Sequence, residues 1–554
     1  MKNKVLILLF AIGGLMSSCS DAYDIPEKGV IYDEYDAFRK AQDVTRGLNV
    51  IYASIPATTE ISLGSVFTDE VAIGLNNGGQ GLINGQYGFL MESNNGYAES
   101  LWGSYYTMIN RINRLEVISK KLMAENSAEA NAHRSNLAEL YVLRAYAHYK
   151  LFAYFTPNYT NESGMSAIIL DHVPPLDYSY SLPRNTVKQV KDFILADLVR
   201  AEQNAPSAGW RNMDYVNGGV IDAIRVKLFS MTGQWDDVLT YGERVMTAYT
   251  LSGIDGAGEY SNAFSKDPNV RSNGEVIFRS KVTPNSGPSV VSIWYSVRAQ
   301  RNNGSFFYEM GRSLYNELDK LDAAKTGTLY TNQAMQGQPN GQSRDDVRYN
   351  TSLLGVVGNS PNGTEVLLNY ETASQSDYNS KDVLLIGKYP GISGADLKND
   401  IYLFRTADIL LAMAEARAAK GQLSASSTDP DDLVGDRTNV YSILYTLRFN
   451  RWIPAKVGNV AGISMPSITS QQSAFNAILN ERRVEFAFEG YRYLDMKRLG
   501  VKAGSPGFTR YSKDCAVNGA CNLPANDHRM TLPIPVGEMN GNNTLTADSQ
   551  NPGY

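Results

Sequence analysis

The chain has 554 residues, of which 43% are hydrophobic and 19% are charged, so it is long enough to bury a large core. Its formal net charge is −6 and it contains no long basic run, so nucleic acid is not an expected partner. Glycine (47 residues) and tyrosine (34 residues) are both frequent, a mixture typical of long polar loops that carry aromatic rings.

The N-terminus has the pattern of an export signal. Two lysines precede an apolar run at residues 5–14, which is shorter than a membrane-spanning helix requires. The sequence LMSSC at residues 15–19 resembles a bacterial lipoprotein box, which implies that residues 1–18 are removed and that Cys19 becomes the lipidated N-terminus. An ordinary secretory signal followed by an incidental cysteine is the alternative. Residues 19–32 are polar, as expected of a tether.

Helices are predicted along the first half of the chain from apolar residues that recur every three or four positions. Pro56 is expected to end the first helix, and Asn185 is expected to cap the last. Residues 56–98 are rich in glycine and asparagine and predict long loops. In the third helix small alanines alternate with large aromatic side chains, a pattern that lets helices approach closely. The predicted helices cover residues 33–54, 99–121, 126–155 and 186–203.

Pairs of helices joined by short turns are predicted further along the chain, and they resemble degenerate tetratricopeptide-like units. Such pairs stack on one another and offer extended docking surfaces. Glycine, asparagine, serine and proline are frequent between them, with only short strands expected at 275–280 and 383–387. The helical pairs cover residues 217–249, 402–421 and 435–449. The predicted regions are a helical scaffold at about 33–249 and 401–500, an irregular ligand-binding excursion at about 250–400, and a C-terminal loop region at 501–554.

Two cysteines, Cys515 and Cys521, lie close together near the C-terminus. In an exported protein such a pair predicts a disulfide that closes a small loop. A metal site or two free thiols are the competing interpretations, but the nearest histidine, His528, does not complete a recognised zinc spacing. We therefore expect a disulfide and no bound metal.

A run of acidic and basic residues at 481–498 raises the question of catalysis. Glu481, Glu485 and Glu489 recur at four-residue intervals, and a glycosidase needs a pair of carboxylates. Arginines at helical spacing favour ion pairs instead, and a bend in the run would let Glu485 pair with Arg492. The signature motifs of zinc peptidases, serine hydrolases and phosphate-binding loops are absent from the sequence. We therefore expect that the protein is not an enzyme and binds no cofactor. The alternative is a glycosidase that lacks a signature motif.

Sugar binding requires aromatic rings that pack on the C–H faces of pyranoses, together with donors and acceptors for the hydroxyl groups. The segment 293–308 offers both kinds of group, and the segment 85–97 offers them more weakly. The alternative is that these rings anchor loops in the helical core. The predicted ligand-binding residues are Trp294, Tyr295, Tyr308, Arg301, Asn302 and Asn303 in the first segment, and Tyr87 and Tyr97 in the second.

Several segments resemble the signature sequences of one family. The most specific is ERRVEFAFEGYRYLDMKR at residues 481–498. The others are FRTADILLAMAEA at 404–416, PRNTVKQV at 183–190, LRFNR at 447–451, LPIPVGEMN at 532–540 and QNPGY at 550–554. These segments resemble the SusD/RagB family, and together with the lipoprotein pattern the resemblance covers essentially the whole chain.

The resemblance implies a mainly α-helical, SusD-like fold with four tetratricopeptide-like units, long irregular loops and a few short strands. It also implies a lipoprotein of the outer membrane that faces the cell surface and touches the membrane only through its lipid. Such a protein binds oligosaccharide and delivers it to a SusC-like TonB-dependent transporter. The alternatives are a peptide-binding RagB-type lipoprotein, a surface glycoside hydrolase, and a scaffold that binds no small ligand.

Overall fold

The computed structural model describes residues 37–74, 77, 85–177, 179–206, 210, 212–253, 260–265, 274–282, 307–322, 345–359, 365–366, 383–389, 391 and 398–554. These residues form a mainly helical protein with a few short strands. The fold class predicted from the sequence is therefore confirmed. Cys19 and the tether at residues 19–32 lie outside the described residues. Within the described part of the chain, no helix has both the length and the apolar character needed to cross a membrane.

The helices fall into an N-terminal group, a few short helices in the middle of the chain, and a C-terminal group. The first group consists of α1 (Ala41–Ala53), α2 (Ala57–Val66), α3 (Gly96–Glu125), α4 (Ala130–Phe155), α5 (Val187–Asn204), α6 (Gly218–Thr232) and α7 (Trp235–Ala248). The short helices are α8 (Tyr260–Ala263), α9 (Arg312–Asp319) and α10 (Val347–Ser352). The last group consists of α11 (Thr406–Ala419), α12 (Pro430–Leu433), α13 (Val440–Phe449), α14 (Gln471–Glu485), α15 (Arg492–Leu499), α16 (Ser512–Cys515) and α17 (Val536–Gly541).

Helix α4 is the centre of the N-terminal group, with α3, α5 and α1 packed around it. Every one of its residues from Asn136 to Phe155 is buried. Alanines such as Ala138 and Ala145 are fully buried beside large rings such as Tyr146, so neighbouring helices pack closely on this helix. The close approach predicted from the alternation of small and large residues is therefore confirmed.

The predicted helical pair at residues 217–249 is confirmed as helices α6 and α7. Gly233 ends α6 in the left-handed conformation, with φ +80°, and so allows the chain to turn into α7. Helix α11 packs on α7 and also contacts α13 and α14. Gly242 of α7 lies directly on the Met413 side chain of α11, where a Cβ atom would be only 2.6 Å from Cγ. Stacked pairs therefore bury one continuous core, as expected of tetratricopeptide-like units.

The strands are short and pair only locally. They are β1 (Val71–Ile73), β2 (Val276–Ser280), β3 (Tyr308–Met310), β4 (Leu353–Asn359), β5 (Glu365–Val366), β6 (Val383–Ile386), β7 (Ile401–Arg405), β8 (Phe508–Thr509) and β9 (Asn522–Leu523). Antiparallel pairing joins β1 to β3, β2 to β7, and β8 to β9, while β4 lies between β5 and β6. Both strands predicted between residues 250 and 400 are present, as β2 and β6.

Several local predictions were wrong. The ranges 402–421 and 435–449, predicted as helical pairs, each contain a single helix, α11 and α13, and strand β7 occupies the residues just before α11. Helix α2 occupies residues that were predicted to be loops. The sequence did not reveal it because this helix is buried on nearly every side and therefore lacks the polar face that marks an amphipathic helix. Helix α1 begins only at Ala41, and Asp43 accepts hydrogen bonds from the backbone of the residues before it. The N-cap of α5 is Thr186, whose hydroxyl accepts from the backbone of Gln189, whereas the Asn185 side chain accepts from Ile169.

Candidate functional site

Strands β1 and β3 form an antiparallel ribbon between the N-terminal helices and the excursion. Ile73 is paired with Tyr308, and the backbone N–H of Gly74 donates to the carbonyl oxygen of Phe307 at 2.9 Å. The ribbon therefore continues through these residues, and the chain leaves β1 at the same place where it enters β3. We refer to the four residues 73, 74, 307 and 308 as the ribbon end.

An arginine clamp lies beside β1. The guanidinium carbon of Arg510 is 3.8 Å from the centre of the Tyr87 ring and 3.9 Å from that of Phe89, so the cation lies between two aromatic faces. Arg510 also donates to the carbonyl oxygens of Thr68 at 3.0 Å and Val66 at 3.2 Å. Burial lowers the pKa of Arg510 to about 10. The clamp therefore joins the chain just before β1 to the chain at Tyr87 and Phe89.

The disulfide loop supports this clamp. Cys515 and Cys521 are bonded, as predicted from the sequence, with their Cα atoms 5.1 Å apart. The carbonyl oxygen of Asp514 accepts the hydroxyl of Tyr87 at 3.2 Å, and its carboxylate accepts the backbone N–H of Arg312 at 2.8 Å. The loop thus joins the Tyr87 segment to the start of helix α9, which directly follows β3.

Three of the predicted ligand-binding rings are buried, which contradicts their prediction as stacking surfaces. Tyr87 is 1% exposed, Tyr97 is 7% exposed and Tyr308 is 8% exposed. Tyr87 is covered by Arg510, and Tyr308 packs edge-on against Phe307 with ring centres 4.9 Å apart. Burial raises the pKa of Tyr308 to about 12 and raises that of Tyr97 further. These rings are parts of the core, which is the alternative that the sequence left open.

The remaining predicted ligand-binding residues lie outside the described residues, so their positions relative to the ribbon end are not part of the structure. They are Trp294, Tyr295, Arg301, Asn302 and Asn303.

The carboxylates that resembled a catalytic set belong to a buried ion-pair network. Glu485 Oε1 lies 3.0 Å from nitrogens of both Arg405 and Arg451, and Glu489 pairs with Arg405 at 2.9 Å. Glu481 is paired with Arg448 at 2.6 Å. All three glutamates have side chains without measurable exposure. The prediction of ion pairs is confirmed.

The electrostatics of Glu485 follow from these contacts. Burial by itself disfavours the charged carboxylate, but the guanidinium groups of Arg451 and Arg405 outweigh it and hold the pKa of Glu485 below its ordinary value. The expected pair of Glu485 with Arg492 is wrong. Arg492 instead pairs with Asp69 at 2.8 Å, because Gly490, with φ +86°, turns helix α15 towards the end of α2.

Two half-buried aromatic residues that the sequence did not single out border open hollows elsewhere on the protein. Trp210 lies between α5 and α6, and Tyr249 follows the end of α7. The hollows on either side of them have volumes of about 520 Å³ and 550 Å³. The sequence feature that could have drawn attention to Trp210 is its place in a linker between helices that contains proline, glycine and asparagine. Within the described residues, no group of histidine, cysteine, aspartate and glutamate side chains is arranged to hold a metal ion.

Comparisons with known proteins agree with the fold and with the family resemblance. The model of the SusD family matches residues 329–554, and a second model, described as starch-binding and associating with the outer membrane, matches residues 36–212. A curated relative, the SusD-like protein P2 of Formosa agariphila, is 21% identical over 576 residues, which cover 100% of this chain and 99% of that protein.

Solved structures share the architecture. A SusD superfamily protein of Bacteroides thetaiotaomicron has a TM-score of 0.65 at 19% identity and covers 93% of this chain and 100% of its own. A putative sugar binding protein of Bacteroides vulgatus has a TM-score of 0.62 at 20% identity, with coverage of 94% and 99%. At this identity the solved structures establish the fold alone. With the two family models and the signature at residues 481–498, the chain belongs to the SusD/RagB family.

Proposed function

We propose that this protein is a cell-surface lipoprotein that binds oligosaccharide at the ribbon end and passes it to a SusC-like TonB-dependent transporter. The register of β1 and β3 is the observation that carries the proposal. It joins the end of β1 at Gly74 to the start of β3 at Phe307 by a hydrogen bond of 2.9 Å. The predicted sugar-binding segment that precedes Phe307 and the glycine- and asparagine-rich segment that follows Gly74 therefore attach to the scaffold at one place.

The chemistry of the attached segments suits a neutral sugar. The segment that enters β3 carries Trp294 and Tyr295 as ring platforms and Arg301, Asn302 and Asn303 as hydrogen-bonding groups. The segment that leaves β1 is rich in glycine and asparagine. Aromatic faces bind the C–H faces of pyranoses, while amides and guanidinium groups bind the hydroxyls.

The base beneath these segments is rigid, which favours binding. The Arg510 clamp and the disulfide loop fix both Tyr87 and the start of α9 through buried contacts. A site on a pre-organised base loses less conformational entropy when a ligand binds. The buried tyrosines thus support the site without contacting the ligand themselves.

The buried carboxylate network favours binding over hydrolysis. A glycosidase needs two carboxyl groups that face the sugar. In the described part of the chain the best sequence candidates, Glu481, Glu485 and Glu489, are fully buried and paired with arginines, so they do not reach a surface ligand.

The relatives support the ligand class and the location. One matching family model is described as starch-binding and associating with the outer membrane, and one structural neighbour is titled a putative sugar binding protein. The transporter partner rests on the family resemblance and on the stacked helical pairs, which offer an extended docking surface. The lipid anchor rests on the LMSSC sequence that ends at Cys19.

Substitution of the two predicted ring platforms tests the proposal. A glycan array run beside a peptide array identifies the ligand, and calorimetry then compares the wild type with the double variant Trp294→Ala/Tyr295→Ala. We expect a loss of about 2 kcal/mol or more, roughly thirtyfold in affinity, because both stacking surfaces are removed. The melting temperature should be unchanged. Trp235→Ala, which removes a half-buried tryptophan of α7, is the matched control and should retain full affinity.

Full affinity in a stable Trp294→Ala/Tyr295→Ala protein would show that the ligand binds elsewhere. Binding to peptides with no binding to any glycan would contradict the proposed ligand class. Release of a labelled oligosaccharide or polysaccharide into smaller products would contradict the proposal of binding without catalysis.

A further inference from the structure

At the start of helix α6, the aromatic ring of Tyr249 packs against a glycine. The ring of Tyr249 covers Gly219, where a Cβ atom would be only 2.4 Å from ring atoms, so a side chain at this position would displace the ring. The hydroxyl of Tyr249 donates to Asn217 Oδ1 at 2.9 Å and fixes the ring in this position. Above Gly218 the space is open, since no atom of the described residues lies within 4 Å of a Cβ built there.

Trp210 and Tyr249 together border both hollows at this place. The first hollow, of about 520 Å³, extends towards Asp222 and Arg244, and the second, of about 550 Å³, extends towards strand β2. Both Trp210 and Tyr249 are only partly buried. Each hollow falls within the range of roughly 300–1,000 Å³ that small-molecule sites occupy. We call the two hollows together the Trp210 groove.

The first hollow contains both an acceptor and a donor. Asp222 is 6% exposed, and among the described residues its Oδ1 atom accepts no hydrogen bond, with the Nη1 atom of Arg225 at 3.5 Å as an ion-pair partner. Its other oxygen lies 3.1 Å from Nε of Arg244, whose side chain is 55% exposed. A buried carboxylate oxygen with unused hydrogen-bonding capacity, beside an accessible guanidinium group, suits the hydroxyl groups of a sugar.

An extended peptide does not fit the same groove. A peptide gains most of its affinity by adding a strand to an open sheet edge. The outer edge of β2 is already paired, because the backbone N–H of Arg279 donates to the carbonyl of Met213 at 2.9 Å. The side chain of Asn217 also donates to the carbonyl of Ile277 at 3.2 Å. Two aromatic rings with polar groups at their edges remain, which is the arrangement that binds pyranose rings.

We infer that the Trp210 groove is a second oligosaccharide-binding surface, with Trp210 and Tyr249 as ring platforms and Asp222 and Arg244 as hydroxyl-binding groups. It shares the ligand class of the proposed function but none of the residues of the ribbon end. A second surface of this kind holds a long glycan at two points, which raises the effective local concentration of the ligand at the first site.

Calorimetry on stepwise variants tests the inference, with maltoheptaose, laminarihexaose and xylohexaose as probes. In the Trp294→Ala/Tyr295→Ala protein we expect one residual binding event. Adding Trp210→Ala should weaken that event by about thirtyfold or more, whereas Trp210→Phe should preserve most of the affinity, because phenylalanine retains a ring. Trp235→Ala in the same background is the control for the loss of a half-buried tryptophan and should change nothing. Thermal melts of each variant confirm that it is folded.

The possible outcomes separate the two surfaces. Residual binding that survives Trp210→Ala, or no residual binding in Trp294→Ala/Tyr295→Ala, overturns the second surface and leaves the proposed function standing. Binding that Trp210→Ala removes but that Trp294→Ala/Tyr295→Ala leaves intact supports the groove and overturns the site at the ribbon end. If none of the three probes binds the wild type, the groove proposal is overturned, while the glycan array still decides the proposed function.

Discussion

Glu70, the residue before strand β1, is a buried carboxyl group whose two oxygens have different surroundings. Oε2 accepts hydrogen bonds from the hydroxyl of Ser65 at 2.8 Å and from the backbone of Phe488 at 3.2 Å. In the described structure Oε1 has no hydrogen-bond partner. Burial raises the pKa of Glu70 to about 8, and the Ser65 hydrogen bond opposes this only in part. The carboxyl is therefore mostly protonated at neutral pH.

Replacement of Glu70 by glutamine should weaken the pH dependence of stability. The ordinary pKa of the group is 4.5, so the folded protein holds one proton more than the unfolded chain between that pH and about 8. The free energy of unfolding of the wild type should therefore fall as pH rises through this window, by at most about 1.4 kcal/mol per pH unit. Glu70→Gln should lack this contribution. Denaturant titrations near both ends of the window measure the difference.

Glu99→Gln is the control for this prediction, since Glu99 is an exposed carboxyl group on helix α3. It should show the same pH dependence as the wild type. If Glu70→Gln also follows the wild type across the window, then Glu70 is ionised in the folded protein and the argument from its burial is wrong.

At the scale of secondary-structure elements, a buried ion-pair network joins the end of helix α14 to neighbouring elements. Glu485, at its last position, pairs with Arg405 at the end of β7 and with Arg451 just after α13. Arg405 and Arg451 also pair with Glu275, the residue before β2. One buried network thus holds strands β2 and β7 against the C-terminal helices.

Glu485→Gln is expected to destabilise the whole protein. The substitution leaves Arg405 and Arg451 buried with less compensating charge, and breaking such a pair costs about 3–5 kcal/mol. Thermal and denaturant melts should show a large loss of stability. Asp192→Asn provides the contrast, because it removes a surface ion pair with Lys188 in which both side chains are at least half exposed. This control should melt as the wild type does, and an equally stable Glu485→Gln protein would contradict the structural importance of the network.

At the scale of the whole molecule, the proposed attachment to the membrane depends on Cys19. Cys19→Ala is expected to remove the proposed acylation site, because in the proposed lipoprotein the thiol of this residue would carry the first lipid and several chains are needed for stable anchoring. Cell fractionation should find the variant released from the membrane or retained as an unprocessed precursor. Mass spectrometry of the wild type that found a mature N-terminus elsewhere, without lipid, would contradict the anchor.

The sequence determined the features that depend on local pattern. Helices α3 and α4 were predicted to within a few residues because their apolar side chains recur with helical period over long segments. The disulfide followed from two nearby cysteines in a chain predicted to be exported, and the ion pairs followed from carboxylates and arginines at helical spacing. The family followed from the signature at residues 481–498.

Tertiary structure alone decided which residues meet across the chain. Helix α2 carried no periodic pattern because packing buries it on nearly all sides. Arg492 pairs with Asp69 and not with Glu485, and Arg510 packs on the ring of Tyr87. Both contacts form because folding brings together residues that are hundreds of positions apart. Trp210 and Tyr249 border one groove because the packing of α6 against α7 brings together the chain before α6 and the chain after α7. A sequence shows the chemical capacity of a side chain, but burial and partners are properties of the packed core, and no local pattern contains them.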